Sequence, residues 1–170
     1  MTQRPNANVV NVVLAGLGGQ GVITASDILA EAAIEAGLDV KKAEVHGMSQ
    51  RGGSVTCDVR FGEKVLSPMV PRGETDFLVV LAPSEVQVTR HLLRPGGVLI
   101  RPELVREGDL ANRRSLNVAL LGALSYHLEG VIPEAVFLDV VRASLPERLH
   151  AVNEQAFALG RAAAAAEEKA

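Results

Sequence analysis

Two glycine-bearing stretches hold the residue types that could do chemistry. The first, Gly16-Leu17-Gly18-Gly19-Gln20-Gly21, has the spacing G-x-G-x-x-G. Glycines there let the backbone turn tightly and leave the N–H groups of the next helix open to an anion. Three readings of this turn stand side by side. It is a contact surface for another subunit, with Gln20 beside Gly19 offering hydrogen bonds to that subunit; or a phosphate or anion site; or a purely structural turn. An NAD site would also need an acid near the end of the second strand to hold the ribose. Glu44 is the only candidate, and it runs straight into the second unusual stretch.

That second stretch is His46-Gly47-Met48-Ser49-Gln50-Arg51-Gly52-Gly53. Arg51 can fork onto a carboxylate or a phosphate, and Gln50 can both give and accept a hydrogen bond. A plain solvated connection rarely needs three glycines, so the loop reads as a binding or contact loop. Nucleophilic chemistry has little support. Ser49 has His46 three residues away but no acid to complete the set, and Cys57 falls on the apolar side of its strand, where a thiol stays protonated. His91, His127 and His150 sit on expected helices as surface or capping residues. Asn117 and Asn153 lie among apolar helix neighbours and could each tie a helix to a loop.

The elements that must position these loops follow from hydrophobic periodicity. Val9 to Ala15 is apolar at nearly every residue, as in a strand covered on both faces. Val22, Ala25, Leu29, Ala32 and Ala36 then recur on one helical face, ended by Gly37. The outer side of that helix carries Asp27, Glu31 and Glu35 with no cation at helical spacing. Leu38 to Val45 reads as a second strand, with Lys41 and Lys42 near its start, and Val55 to Phe61 alternates as a half-buried third. Gly62-Glu63 is a candidate hairpin turn that returns the chain along Lys64 to Ser67. Phe77 to Ala82 reads as another central strand, Pro83 to Leu93 as a helix, and Val98 to Ile100 as a short strand after the Pro95-Gly96-Gly97 turn. Residues 103–114 read as a surface connection. Helices follow from Asn117 to Leu128, from Pro133 to Leu145, and from Pro146 onward.

This alternation predicts an α/β fold: a Rossmann-like, open, mostly parallel sheet flanked by helices, with a β-hairpin insertion. Residues 1–8 are expected to be a flexible arm, 9–161 a single domain, and 162–170 a tail that forms a fraying helix end.

Composition narrows the classes. The chain has 170 residues, 48% of them hydrophobic, a net charge of -3, one cysteine and no tryptophan. That size supports one real core. Nothing basic enough for nucleic acid is present. One cysteine excludes an internal disulfide and any four-cysteine iron–sulfur site built by this chain alone. The four histidines lack metal-ligand spacing, so no metal site is expected. No signal peptide or membrane span is legible, and a cytoplasmic location is expected.

With these residues in view, the chain resembles the gamma-type domain of 2-oxoacid:ferredoxin oxidoreductases. Within that family it is most similar to the beta subunit of the indolepyruvate branch. The resemblance rests on the Gly16–Gly21 turn with Ala25 and Ile28-Leu29-Ala30, and on the run from Glu44 to Val55. Further along it rests on Ser67-Pro68, Pro95-Gly96-Gly97, Asn117 to Gly122, Asn153, Ala156-Phe157 and Gly160. It implies an oxidoreductase subunit whose complex converts a 2-oxoacid, an arylpyruvate such as indolepyruvate, with coenzyme A into an acyl-CoA, carbon dioxide and reduced ferredoxin. Thiamine diphosphate, Mg and 4Fe-4S clusters would then be held by a large alpha subunit, with ferredoxin or a similar carrier as acceptor and with no nucleic acid or membrane as partner. On this resemblance no catalytic residue is certain on the chain itself. Gly18, Gly19, Gln20, Gly21, His46, Met48, Ser49, Gln50, Arg51, Gly52 and Gly53 become cofactor, substrate or subunit-contact residues. The acidic helix side becomes a contact surface, and Arg51, with Lys41 or Lys42, would meet the substrate carboxylate or a coenzyme A phosphate. A stand-alone NAD-binding module and a non-catalytic interaction protein are the other classes compatible with the same fold.

Overall fold

The computed structural model describes residues 9–47 and 52–170. Five strands form one open sheet in the order β2-β3-β1-β4-β5. They are β1 (Val9–Leu17), β2 (Asp39–His46), β3 (Ser54–Gly62), β4 (Thr75–Val80) and β5 (Leu93–Ile100). β1 is parallel to β4, and β4 to β5, whereas β3 is antiparallel to both β1 and β2. Four strands therefore point one way and β3 alone points back. The expected open α/β sheet with a hairpin insertion is found.

The hairpin, however, is not where glycine chemistry suggested. It is β2–β3, whose strands end at His46 and begin again at Ser54, and Gly62-Glu63 does not return a strand along Lys64 to Ser67. That segment instead crosses one face of the sheet as a strap, pinned by side chains rather than by a ladder. The Asp39 carboxylate accepts from Val65 N–H (2.8 Å), the Arg60 guanidinium donates to Ser67 O (2.9 Å) and Met69 O (3.3 Å), and Asp58 accepts from Val70 N–H (2.8 Å). Burial pushes the Asp58 carboxyl above its usual range, although the Val70 hydrogen bond and the Arg60 charge pull the other way. At the far edge, Pro95-Gly96-Gly97 lies within β5 as a bulge opposite β4 rather than before the strand.

The helices are α1 (Val22–Glu35), α2 (Pro83–Thr89), α3 (Leu116–His127), α4 (Glu134–Ser144) and α5 (His150–Lys169). The stretch around residues 103–114, expected as a surface connection, contains three short 3-10 turns, Pro102–Leu104, Glu107–Asp109 and Arg113–Ser115. One face of the sheet, including Val12, Leu14, Cys57, Val59 and Val79, shares a core with α1, α3, α4 and α5. The other face, built on Val13, Ala15, Leu78 and Val80, receives only Val86 of α2 and the partly buried Val70, Leu92, Leu93 and Leu99. Helix α3 is buried from Asn117 to Ser125 because it is enclosed between the sheet and α5, which explains its unbroken apolar run. Helix α5 continues past residue 161, with Ala164 buried.

The α3–α5 contact is set by two glycines. A Cβ at Gly122 would lie 2.0 Å from Phe157 O, and one at Gly160 would lie 1.7 Å from Ala119 O. Backbone touches backbone there, so no side-chain rotation can make room.

Gly160→Ala is expected to destabilise the fold by about 2 kcal/mol or more, because the overpacking penalty exceeds the roughly 1 kcal/mol that alanine adds to a helix. Chemical denaturation measures it, and a stabilised variant would contradict the close helix contact. Asp58→Asn keeps an oxygen to accept from Val70 and removes a buried charge. A carboxyl raised in the fold contributes stability present below its unfolded pKa and lost as pH rises through its folded one. The variant should therefore match or exceed the natural chain in melting temperature at pH 7 and lose that advantage near pH ~3, below the usual carboxylate range.

Candidate functional site

The glycine turn lies where β1 and β4 end. Gln20 closes it from within: its Oε1 accepts from Leu17 N–H (2.7 Å), its backbone N–H donates to Leu17 O (3.2 Å), and its Nε2 reaches Leu81 O (3.5 Å). The amide expected to face a partner is thus used to tie the end of β1 to the end of β4. Gly19 and Gly21 adopt φ of 88° and 81°, which an L side chain rarely tolerates. Gly21 caps α1 with no side-chain hydrogen bond, and the first helical bond runs from Ala25 N–H to Gly21 O. The N–H groups of the first turn of α1 have no acceptor among the described residues.

Asn117, at the start of α3, holds this turn from behind. Its Nδ2 donates to Gly21 O (3.2 Å) and its Oδ1 accepts from Val118 N–H (2.9 Å). This is the helix-to-loop tie that its position among apolar neighbours suggested. Asn153 does something more local, donating to Leu149 O within its own helix region (2.9 Å).

The second glycine stretch reaches the first directly. Gly18 N–H donates to Gly53 O (2.9 Å), and Gly47 N–H donates to Ser54 O (2.7 Å) at the base of the hairpin tip. Gly52 has φ 65°. His46 lines a cleft of about 380 Å³ with Leu17, Gly18, Gly19, Thr24 and Val55. The two loops thus adjoin. Met48, Ser49, Gln50 and Arg51 lie outside the described residues.

A second cleft, of about 290 Å³, opens on the other side of the turn between Gly19, Gln20, Gly21, Leu81, Arg113, Arg114 and Leu116. Arg113 and Arg114 belong to a segment that sequence patterning marked only as a surface connection. Their one legible signal was two adjacent cations just ahead of a buried helix. The guanidinium of Arg114 has no acidic partner among the described residues, and Arg113 is 3.6 Å from Glu107.

The lysines are placed differently. Lys42 binds Asp27 and Glu44 (2.7 Å to Glu44), and donates to Ser26 Oγ (3.2 Å). Burial opposes its charge, but the two carboxylates outweigh that and raise its pKa. Lys41 pairs with Asp39 at 3.6 Å. Neither is a free cation for a ligand. The Lys42 hydrogen bond and its contact with His46 (3.4 Å) hold the Glu44 carboxyl below its usual range.

Glu44 is equally unsuited to a nucleotide ribose. In a dinucleotide fold that acid ends the strand beside β1, but here β3 stands between β1 and β2. Two strand spacings, roughly 9–10 Å, separate Glu44 from the turn.

Cys57 is fully buried, and desolvation pushes its thiol up, as expected of an inert core cysteine. His127 is less exposed than expected: it packs on Phe77 at 5.9 Å between ring centroids, and burial lowers its pKa. The His150 ring lies 2.7 Å from Leu145 O and links α4 to α5. No group of three or more potential metal ligands occurs among the described residues, nor does any helix long and apolar enough to cross a membrane.

The glycine turn opens onto a helix N-terminus, on an α/β sheet whose order sets Glu44 away from the usual ribose position. Comparison with known proteins gives the family. Residues 11–106 match the family described as pyruvate ferredoxin/flavodoxin oxidoreductase. The indolepyruvate oxidoreductase subunit IorB of Thermococcus kodakarensis is 35% identical, over 91% of this chain and 95% of its own. The common gamma subunit of pyruvate/ketoisovalerate oxidoreductases of Pyrococcus abyssi is 36% identical, over 71% of this chain and 68% of its own. In fold, the gamma subunit of a keto/oxoacid ferredoxin oxidoreductase from Geobacter sulfurreducens superposes with a TM-score of 0.78 at 24% identity, over 94% and 98% of the two chains. The chain belongs to the pyruvate ferredoxin/flavodoxin oxidoreductase family.

Gly21→Ala meets two obstacles, a positive φ and a Cβ only 2.5 Å from Asn117 Nδ2. The conformational part alone should cost about 1–2 kcal/mol. Asn117→Ala removes the collision but leaves the φ, so the double variant should be clearly more stable than the sum of the single losses predicts. A denaturation double-mutant cycle measures this, and strict additivity would show that the two residues do not touch.

Proposed function

We propose that this chain is the small subunit of an indolepyruvate- or arylpyruvate-type 2-oxoacid:ferredoxin oxidoreductase. The observation that carries the reading is the near-full-length similarity to indolepyruvate oxidoreductase subunits, 35% identity across 91% of the chain. The complex would take a 2-oxoacid, coenzyme A and two oxidised ferredoxins to an acyl-CoA, carbon dioxide, a proton and two reduced ferredoxins. Thiamine diphosphate with Mg on the large alpha subunit supplies the carbanion chemistry, and its 4Fe-4S clusters carry electrons one at a time.

What this chain contributes is recognition at a shared boundary. The open N–H groups at the start of α1, together with Arg113 and Arg114, suit an anionic group such as a coenzyme A phosphate or the substrate carboxylate. This assigns to Arg113 and Arg114 the part that Lys41 or Lys42 was expected to share with Arg51. Asn117 and Gln20 keep the turn shaped for that group without touching it. The turn and the hairpin tip form one edge of the catalytic cavity when the large subunit is in place, and the whole works in the cytoplasm.

Co-expression with the large subunit, followed by purification, tests the reading. The expected result is a complex that reduces an artificial one-electron acceptor only when both an arylpyruvate and coenzyme A are present. A chain that purifies alone and binds NAD would overturn it.

A further inference from the structure

Resting on the arylpyruvate reading above, we propose that His46 selects the substrate: its ring accepts the N–H of an indole group seated in the cleft beside the glycine turn, and Glu44, held by Lys42, is the positioning residue that aims it. The observation behind this is a row of three ionisable side chains on one face of β2. Lys42, Glu44 and His46 alternate along the strand and pair in register with Val59, Cys57 and Val55 of β3, which belong to the core shared with α1. The row therefore lies on the helical side of the sheet. The cleft of about 380 Å³ that His46 lines opens on that same side, against Ile23 of α1 and Val55.

Each member of the row holds the next. Ser26 and Asp27 of α1 anchor the Lys42 ammonium, which lies 2.7 Å from Glu44 Oε1. The Lys42 hydrogen bond, with a lesser pull from His46, holds the Glu44 carboxyl below its usual range and so keeps it ionised. Glu44 Oε2 in turn lies 3.4 Å from His46 Nε2. An ionised carboxylate can only accept, so this contact puts a proton on Nε2 and leaves Nδ1, with its lone pair, as the acceptor of the neutral ring. Charges on an edge strand also guard it against pairing with other chains, but that purpose does not require this order: a cation anchored on a helix, a carboxylate, then an imidazole lining a cleft. Exposed ion pairs add little to stability, so the main effect of the row is on where the ring sits.

The cleft suits the uncharged end of an arylpyruvate. Leu17, Val22, Ile23 and Val55 give it apolar walls, and none of its lining side chains carries a fixed charge, whereas Arg113 and Arg114 line the other cleft. Apolar walls with one acceptor complement an indole, whose ring is apolar but for a single N–H. A phenyl ring would fill the same space and leave Nδ1 without a hydrogen bond. A site built around a donor discriminates against the analogue that lacks it.

The test uses the full chain in complex with its co-expressed large subunit, and reads kcat/KM for indolepyruvate relative to phenylpyruvate. The natural complex should prefer indolepyruvate. His46→Leu should lower that ratio about 10-fold, as loss of one hydrogen bond does, with the KM for coenzyme A unchanged. His46→Asn should keep most of the preference, because its Oδ1 stands where Nδ1 stood. Glu44→Ala should lower the ratio about 3-fold, and no further once His46→Leu is present, since it acts only through the ring. A ratio that His46→Leu leaves unchanged, or an effect confined to the KM for coenzyme A, would overturn the assignment while the subunit reading stands. Additive losses from Glu44→Ala and His46→Leu would overturn the positioning role. A natural complex that turns over no arylpyruvate would instead remove the subunit reading, and this assignment with it.

Discussion

Gly18 N–H reaches Gly53 O because β3 runs back between β1 and β2, and most of the site depends on that one reversed strand. An ordinary parallel order would place β2 beside β1 and send the connection after β2 into a helix. Here the connection is a hairpin tip, and antiparallel pairing in unbroken register from Val9↔Gly62 to Leu17↔Ser54 delivers that tip beside the glycine turn. The same insertion displaces Glu44 from the ribose position. One topological choice thus brings two loops together and moves the candidate ribose acid away from the glycine turn.

The turn itself is held by neutral groups. Gln20 satisfies the end of β1 and approaches the end of β4, while Asn117 satisfies the helix cap from the far side. The side-chain amides of Gln20 and Asn117 find partners, so the turn keeps its shape without a ligand. Charged groups are arranged differently. Asp27, Lys42, Glu44 and His46 form a chain of contacts from α1 to the hairpin tip. Such a chain fixes the tip's approach but leaves none of those cations to meet an anion. The arginines ahead of α3 supply that charge instead.

Much of this was legible from residue types. Strand β1, the turn, α1 and the buried helix α3 follow from periodicity and glycine chemistry, and the inert cysteine follows from its apolar strand face. Strand order was not legible, because β3 alternates as any half-buried strand does and nothing in its residues says which neighbour it pairs with. Gly62-Glu63 has turn chemistry, but the side chains of Asp39, Asp58 and Arg60 hold the following segment in place of a ladder. Gln20 illustrates the opposite error of inference: a polar residue at a loop tip suggests an outward role, yet a long amide can fold back to serve backbone groups three and sixty-one residues away.

The unequal covering of the sheet ties these observations to assembly. One face carries α1, α3, α4 and α5, and the α3–α5 pair is drawn together until backbone meets backbone at Gly122 and Gly160. The other carries a seven-residue helix and a strap held by carboxylates and a guanidinium. A chain evolving as a solitary domain gains by covering both faces, since each exposed leucine or methionine forgoes burial worth about 1.5–3 kcal/mol. A chain that works only within a complex gains by leaving one face thin, rigid and apolar, because that area can then stabilise the assembly rather than the monomer.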